Sequence, residues 1–74
     1  MDELRVRLGK RLRDTRKAAG LSQELLAEKA GISVDFISMI ERGKRSPSIE
    51  TIEKLSKALH IEISDLFVEL HSTG

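Results

Sequence analysis

The sequence has no cysteine, no tryptophan and no tyrosine, and its aromatic side chains are limited to Phe36 and Phe67. Without cysteine the chain forms neither a disulfide bond nor a thiolate metal site. No apolar run approaches the roughly 20 residues of a membrane span, and the first residues, MDELRVRLGK, are too charged for a signal peptide. We therefore expect a soluble cytoplasmic protein that does not contact a membrane.

The sequence also lacks the residue patterns of common catalytic sites. It has no glycine-rich phosphate loop, and His60 and His71 have neither a cysteine nor a neighbouring histidine to complete a metal or nucleophile site. Two aromatic residues are too few for the stacking platforms of proteins that bind single-stranded nucleic acid. We therefore expect no enzymatic activity, no cofactor, no metal and no small-molecule ligand.

Charge is distributed unevenly along the 74 residues, although the net charge is only +1. Residues 1–45 hold eleven Lys and Arg against seven Asp and Glu, whereas residues 46–74 hold two against five. One end of the molecule could therefore meet phosphates while the other repels them. Solvated helix faces would give the same asymmetry, and only the motif that begins at Ser22 favours a nucleic-acid partner.

Two short helices joined by a tight glycine turn are predicted for the segment SQELLAEKAGISVDFISMIERGKR, which begins at Ser22. Gly31 supplies a residue that tolerates positive φ where the first of these helices ends. Ser33 then occupies an N-cap position of the second helix, which ends at Gly43. Helices with so short a connection cross at a steep angle when the residues at the crossing are small. This is the pattern of a helix-turn-helix over residues 22–43.

The outer face of the second helix is free for a partner, because Ile37 and Ile40 point into the core at helical spacing. A row of side chains on that outer face would project into a groove: Val34, Asp35, Ser38, Met39 and Arg42. Lys44 and Arg45 follow shortly after, so three cations cluster at the end of this helix. Backbone phosphates are the groups that such cations would contact.

Helices on either side of the motif are expected to complete the core. Helix 1 should run from Asp2 or Glu3 to Ala19, with Gly20 as its C-terminal stop. Helix 4 should start after the cap Ser48. The inward stripes are expected at Leu4, Leu8 and Leu12 in helix 1, and at Ile49, Ile52, Leu55 and Leu59 in helix 4.

Many of these residues occur at a spacing that is typical of one family. They are Leu21-Ser22-Gln23, Leu26-Ala27, Ala30-Gly31-Ile32-Ser33, Ile37-Ser38, Ile40-Glu41-Arg42-Gly43, Pro47-Ser48 and Ala58-Leu59. With these residues the run from Leu8 to Phe67 resembles the phage Cro/repressor type of helix-turn-helix domain, also called the Xre family. The resemblance implies an all-α fold, a five-helix bundle of the phage repressor-like type. A length of 74 residues allows one domain, over residues 1–74.

The resemblance also implies which side chains contact DNA. The positions that match base-contacting residues are Ser33, Val34, Asp35, Ser38 and Met39, and the expected phosphate contacts are Gln23, Arg42, Lys44 and Arg45. The first group has none of the Arg, Gln or Asn side chains that bind a base through two hydrogen bonds. Arg16 is expected to pair with Glu41, which would tie helix 1 to the end of helix 3. His60 stands where the family usually has glycine, so either this histidine accepts a positive φ or the turn differs.

Several positions have alternative interpretations. Gln23 could be an ordinary polar residue at a helix start, and Asp35 could be an acid that the helix dipole favours there. Leu25 stands where the family commonly has a polar residue, so it is either an exposed leucine or part of a contact surface. Phe36 is expected to pack inward or against the following loop.

A C-terminal segment of about residues 61–70 is expected to form the interface of a two-fold dimer. It contains more apolar side chains than one short helix can bury, namely Leu66, Phe67, Val68 and Leu70. A chain this short buries a small core and gains stability when it oligomerises. Such a dimer would hold its recognition helices about 34 Å apart, which matches half-sites one duplex turn apart.

The sequence therefore predicts a sequence-specific double-stranded DNA-binding transcriptional regulator, such as a repressor, that acts as a homodimer on a two-fold related operator. Small phage-type repressors and the controller proteins of restriction-modification operons are similar to it in size and layout. The alternative is an antitoxin-like protein-interaction module with secondary DNA binding. In that alternative, Leu25 and the apolar helix 5 would contact the protein partner.

Overall fold

The computed structural model describes residues 3–67, in which four α-helices are followed by one 3-10 helix. The elements are α1 (Glu3–Ala18), α2 (Gln23–Ala30), α3 (Val34–Glu41), α4 (Ile49–Leu59) and the 3-10 helix (Ile63–Phe67). Residues 3–67 contain no β-strand, so the predicted all-α class is confirmed. The fifth helix is of the 3-10 kind, which is common for pieces of only a few residues.

The core lies where these five elements meet. It consists of ten buried apolar side chains: Leu8, Leu12, Leu26, Ala27, Ala30, Ile37, Ile40, Leu55, Leu59 and Leu66. Helix α1 packs on α3, α2 packs on both α3 and α4, and the 3-10 helix closes the bundle against α1 and α4. A side chain of leucine size that is fully buried contributes about 1.5–3 kcal/mol relative to exposure. This small core therefore fixes the direction of α3, which carries the predicted recognition face.

Two residues of the predicted inward stripes are exposed, and a third, Ile52, is only partly buried. Leu4 is 58% exposed in the first turns of α1, and Ile49 is 79% exposed as the first residue of α4. Both lie at the N-terminal ends of their helices, beyond the edge of the core. The helical periodicity therefore gave the correct face in the helix interiors, where Leu8, Leu12 and Leu55 are buried, but extended it one turn too far.

The helix starts are fixed by serine side chains. Ser22, Ser33 and Ser48 are the N-caps of α2, α3 and α4, and each hydroxyl oxygen accepts a hydrogen bond from the backbone N–H three residues later, at 3.0 to 3.1 Å. Each such cap stabilises its helix by about 1 kcal/mol. At the end of α4, His60 takes the left-handed conformation with φ 59° and ψ 43°. The histidine therefore occupies the glycine-like position without a change of turn.

A glycine inside α1 allows this helix to approach the end of α3 closely. Gly9 is buried, and a Cβ atom there would overlap the backbone oxygen of Ile40 and lie 2.9 Å from that of Glu41. Any larger residue at this position would push the two helices apart. The sequence pattern did not predict this contact, which sets the position of the C-terminal end of α3.

Candidate nucleic-acid interface

Helices α2 and α3 form the predicted helix-turn-helix. Gly31 adopts the left-handed conformation, with φ 73° and ψ 33°, directly after α2. The backbone N–H groups of Gly31 and Ile32 both donate to the carbonyl oxygen of Ala27, at 2.8 and 3.1 Å. These bonds end α2 and turn the chain into the cap of α3. Only three residues separate the helices, so their relative position is firmly determined.

The direction of α3 follows from its buried side. Ile37, Ile40 and Glu41 are buried. On the opposite side Asp35 is exposed, while Ser38 and Met39 are half-buried. These three side chains therefore lie together on a solvent-accessible face of the helix, which we call the α3 face.

Val34 and Ser33, which the sequence also assigns to base contact, have structural roles as well. Val34 is half-buried and packs against the core, so only part of its side chain remains accessible. The hydroxyl oxygen of Ser33 accepts the hydrogen bond from the N–H of Phe36. Its hydroxyl hydrogen is not used in that bond and is still able to donate to a ligand.

A cluster of three exposed cations follows the α3 face. Arg42, Lys44 and Arg45 are all exposed, and Gly43 between them has φ 74°. The N–H of Lys44 donates to the carbonyl oxygen of Met39 at 2.8 Å, which closes the end of α3. The backbone that carries these cations is thus ordered, while their charged groups remain accessible to solvent.

The guanidinium group of Arg45 lies over the ring of Phe36, with 5.5 Å between its Cζ atom and the ring centroid. This distance is within the range of a cation-π interaction. Phe36 is half-buried and also packs against the core. The Phe36 side chain therefore packs inward and also contacts Arg45 in the following loop, which are the two alternatives expected from the sequence.

Arg16 and Glu41 form a buried ion pair behind the α3 face. The Nε atom of Arg16 donates to Oε2 of Glu41 at 2.6 Å, and Nη2 donates to Oε1 at 3.0 Å. Their side chains are only 9% and 2% exposed. Nη1 of Arg16 donates to the carbonyl oxygen of Leu21 at 2.8 Å, so that the guanidinium also holds the segment before α2. The hydrogen bond to Glu41 raises the pKa of Arg16, which therefore stays charged although burial opposes it.

Gln23 is joined to the same carboxylate. Its Nε2 atom donates to Oε1 of Glu41 at 3.0 Å, and its side chain is half-buried. The Glu41 carboxylate thus connects α1, α2 and the end of α3. No local sequence pattern indicates this contact, because the two residues lie in different helices. One amide hydrogen of Gln23 is not used in the bond, and the residue also opens the first turn of α2, where free N–H groups attract anions.

The predicted dimer residues have different surroundings. Leu66 is 1% exposed and belongs to the core, so it has no side-chain surface for a second copy, and its assignment to an interface is wrong. The reason is that the 3-10 helix turns this residue toward α1 and α4. Phe67 is half-buried, and Val68 and Leu70 lie outside the described residues.

The described part of the chain contains no cluster of three or more His, Cys, Asp or Glu side chains that could hold a metal ion. Within residues 3–67, none of the helices is both long enough and apolar enough to cross a membrane.

Comparison with known proteins gives consistent matches. The helix-turn-helix family HTH_3 matches residues 12–66. Over 67 residues the chain is 40% identical to the HTH-type transcriptional regulator SinR of Bacillus subtilis (strain 168), and the match covers 89% of this chain and 60% of SinR. The chain therefore spans only part of the length of that regulator. It is also 37% identical over 71 residues to the control protein C.MunI of Mycoplasma sp, which covers 95% of this chain and 96% of C.MunI.

Among solved structures, the fold is similar to that of the restriction-modification controller protein C.AhdI from Aeromonas hydrophila. The TM-score is 0.85 at 45% sequence identity, and the match covers 90% of this chain and all of C.AhdI. The matches to C.MunI and C.AhdI therefore extend over nearly the whole length of both proteins.

Proposed function

Because the chain belongs to the HTH_3 (Xre-type) helix-turn-helix family of transcriptional regulators, we propose that it binds double-stranded DNA sequence-specifically, as a homodimer on a two-fold related operator. The observation that carries this proposal is the accessible α3 face beside the cation cluster of Arg42, Lys44 and Arg45. An α-helix fits the major groove of B-DNA, and flanking cations contact the phosphates on its edges. A cytoplasmic location is part of the proposal.

The α3 face supports a base readout without bidentate contacts. Met39 offers an apolar contact to the methyl group of thymine, Ser38 bonds to more than one base, and Asp35 accepts from the amino group of cytosine. Ser33 and Val34 lie at the start of the helix and contribute with the groups that remain accessible. We infer a modest preference per base pair, so that two copies on one site are needed for strong selectivity.

Phosphate binding would come from both sides of the α3 face. The three cations follow α3, and Gln23 opens α2 with its free amide hydrogen and the N–H groups of the first turn. Because Gln23 also donates to Glu41, its side chain is held in place before DNA arrives. A contact that is ordered in advance loses less conformational entropy on binding.

Dimerisation would use the C-terminal region. Phe67 is half-buried and Ile63 is 41% exposed, so the 3-10 helix retains an apolar surface after Leu66 is buried. We propose that this surface, with Val68 and Leu70, contacts the same segment of a second copy. Two-fold symmetry would then place both α3 faces on one side of the dimer.

The experiment that tests the function is selection of bound sequences from random DNA duplexes, followed by titration of the selected duplex and a scrambled one. The expected result is a palindromic motif with half-sites about one helical turn apart, near 10 base pairs. A selection that enriches no motif, together with equal affinity for both duplexes, would rule out sequence-specific binding.

A second function is suggested by one observation, the 40% exposure of Leu25 on α2. In this alternative the chain is an antitoxin-like module, and Leu25 together with the 3-10 helix binds a protein partner. Co-purification from the native host separates the two proposals. A stoichiometric second protein that is lost on Leu25→Glu would favour the interaction module, whereas recovery of the chain alone favours the regulator.

A further inference from the structure

Phe36 of α3 and Arg45 of the following loop are in contact. Phe36 is fixed on α3 by two features: its N–H bonds to the hydroxyl oxygen of Ser33, and its half-buried side chain packs against the core. Arg45 is exposed in the loop after α3, and its guanidinium group lies 5.5 Å from the centre of the Phe36 ring. The rigid Phe36 ring therefore holds the guanidinium group at the end of the long and otherwise flexible Arg45 side chain.

The chemistry of the two groups makes this contact useful for binding phosphate. A guanidinium group is planar, and its N–H donors point outward in that plane. Stacking on a ring uses a face of the plane and leaves the N–H groups on its edge available. An arginine held in this way binds an anion without first losing the freedom of its side chain, so that more of the interaction energy appears as affinity.

We propose that Phe36 is a positioning residue, which holds the Arg45 guanidinium beside the α3 face in the orientation that binds a DNA phosphate. This inference rests on the proposed function and adds a role for a residue that is not among the predicted DNA contacts. Lys44 provides the internal comparison, because it is an exposed cation of the same loop.

The test is a pair of double-mutant cycles, read out as the dissociation constant for the selected duplex at fixed salt. One cycle combines Phe36→Leu with Arg45→Ala, and the control cycle combines Phe36→Leu with Lys44→Ala. Leucine keeps the apolar packing but has no ring face. We expect Phe36→Leu to weaken binding about two- to five-fold, the size of an exposed cation-π contact. This effect should disappear in the Arg45→Ala background and persist in the Lys44→Ala background.

A second measurement follows the contact in the free protein. The ring current of Phe36 should shift the Arg45 side-chain proton resonances upfield, and Phe36→Leu should remove this shift, whereas Phe36→Tyr should keep both the shift and the affinity. Phe36→Met serves as a second ringless variant if Phe36→Leu does not fold, because methionine adapts to irregular apolar sites. Thermal unfolding of each variant confirms that it is folded before titration.

Three results would overturn the proposal. Additive effects in the Arg45 cycle would show that the ring does not act through Arg45. A changed base preference in Phe36→Leu would show that the ring reads a base. In either case duplex binding by the unsubstituted protein would leave the proposed function intact. If the unsubstituted protein bound no duplex, the proposed function and the positioning role would fail together.

Discussion

Among single residues, Glu41 connects three helices of the site through its carboxylate. It accepts two hydrogen bonds from Arg16 and one from Gln23, and it is buried at the end of α3. We expect Glu41→Ala to lower the free energy of unfolding by about 3–5 kcal/mol, because the Arg16 charge is then buried without a partner. Urea denaturation measures this loss.

The chain contains a matched control for that substitution. Lys57 and Glu53 form an exposed pair on α4 at 3.6 Å. Glu53→Ala should change the free energy of unfolding by less than about 0.5 kcal/mol, since exposed pairs of this spacing contribute little. Equal effects of Glu53→Ala and Glu41→Ala would show that the buried pair contributes no more to the free energy of unfolding than the exposed pair.

The pH dependence of the ion pair follows from the raised pKa of Arg16. When folding raises the pKa of a basic group, the resulting stability is fully present below the pKa of the unfolded chain and is lost only as pH rises through the folded value. Arginine titrates far above neutral pH. The contribution of Arg16 to stability should therefore be constant around neutral pH.

Gln23 should also stabilise the fold through its contact with Glu41. Gln23→Ala removes the hydrogen bond to Oε1 of Glu41, and a bond to a charged group of this kind contributes about 1.5–3 kcal/mol when it is well shielded. Because Gln23 is only half-buried, we expect a loss near the lower value. Gln23→Glu should destabilise more than Gln23→Ala, because it places a second carboxylate beside Glu41. The same urea titrations decide this, and a Gln23→Glu variant as stable as the unsubstituted protein would contradict the role of the contact.

At the scale of the helices, the close packing of α1 on α3 depends on Gly9. Helix propensity alone predicts that Gly9→Ala stabilises α1 by about 1 kcal/mol. In the structure, however, the added Cβ would overlap the backbone oxygen of Ile40. We expect Gly9→Ala to destabilise the fold by about 1–3 kcal/mol, the usual cost of overpacking. It should also weaken DNA binding, because the end of α3 must move.

Asp14→Ala is the control for this prediction, since Asp14 is exposed on the same helix and should change stability by less than about 0.5 kcal/mol. Thermal unfolding of the two variants compares them directly. A Gly9→Ala protein that is more stable than the unsubstituted chain would mean that α1 can adjust to the added methyl group without cost.

The elements that could be predicted from the sequence are those with local signals. Serine caps, the left-handed Gly31 and the periodicity of Ile37 and Ile40 gave the helix-turn-helix closely, because each depends on a few neighbouring residues. The resemblance to a family added Arg16 and Glu41, which the structure joins. Two contacts were not predicted from the sequence, that of Gly9 with α3 and that of Gln23 with Glu41. Both connect different helices, and a pattern of neighbouring residues does not indicate how far apart two helices lie.

At the scale of the whole molecule, oligomerisation distinguishes core residues from interface residues. Leu66 is buried, so Leu66→Ala should lower the free energy of unfolding by about 2–5 kcal/mol. Leu70→Asp should instead shift a dimer toward monomer while the chain stays folded, if Leu70 belongs to the proposed interface. Far-UV circular dichroism during denaturation measures the loss of stability in Leu66→Ala. Sedimentation measures the association state of Leu70→Asp. A chain that sediments as a monomer at high micromolar concentration, with and without DNA, would contradict the dimer.

The charge asymmetry of the molecule predicts that DNA is held mainly by electrostatic contacts. Each cation that neutralises a phosphate releases condensed counterions, so the logarithm of the affinity should fall linearly with the logarithm of the salt concentration. Lys44→Ala and Arg45→Ala should each lower that slope by about one and weaken all sequences alike. Lys54→Ala, in the acidic half of the chain, should leave the slope unchanged.

Substitutions on the α3 face should have the opposite signature. Asp35→Ala and Met39→Ala should alter which half-site is preferred, because a good contact to a base edge discriminates by about 1–3 kcal/mol. Met39→Ala should have little effect on the salt slope, because it removes no charge. If Arg45→Ala changed base preference without changing the slope, or if both α3 substitutions left the preference intact, α3 would not dock in the major groove as proposed. Each variant is titrated against the selected and scrambled duplexes over a range of salt concentrations. These titrations separate the outcomes, because loss of a phosphate contact changes the salt slope, whereas loss of a base contact changes the ratio of the two affinities.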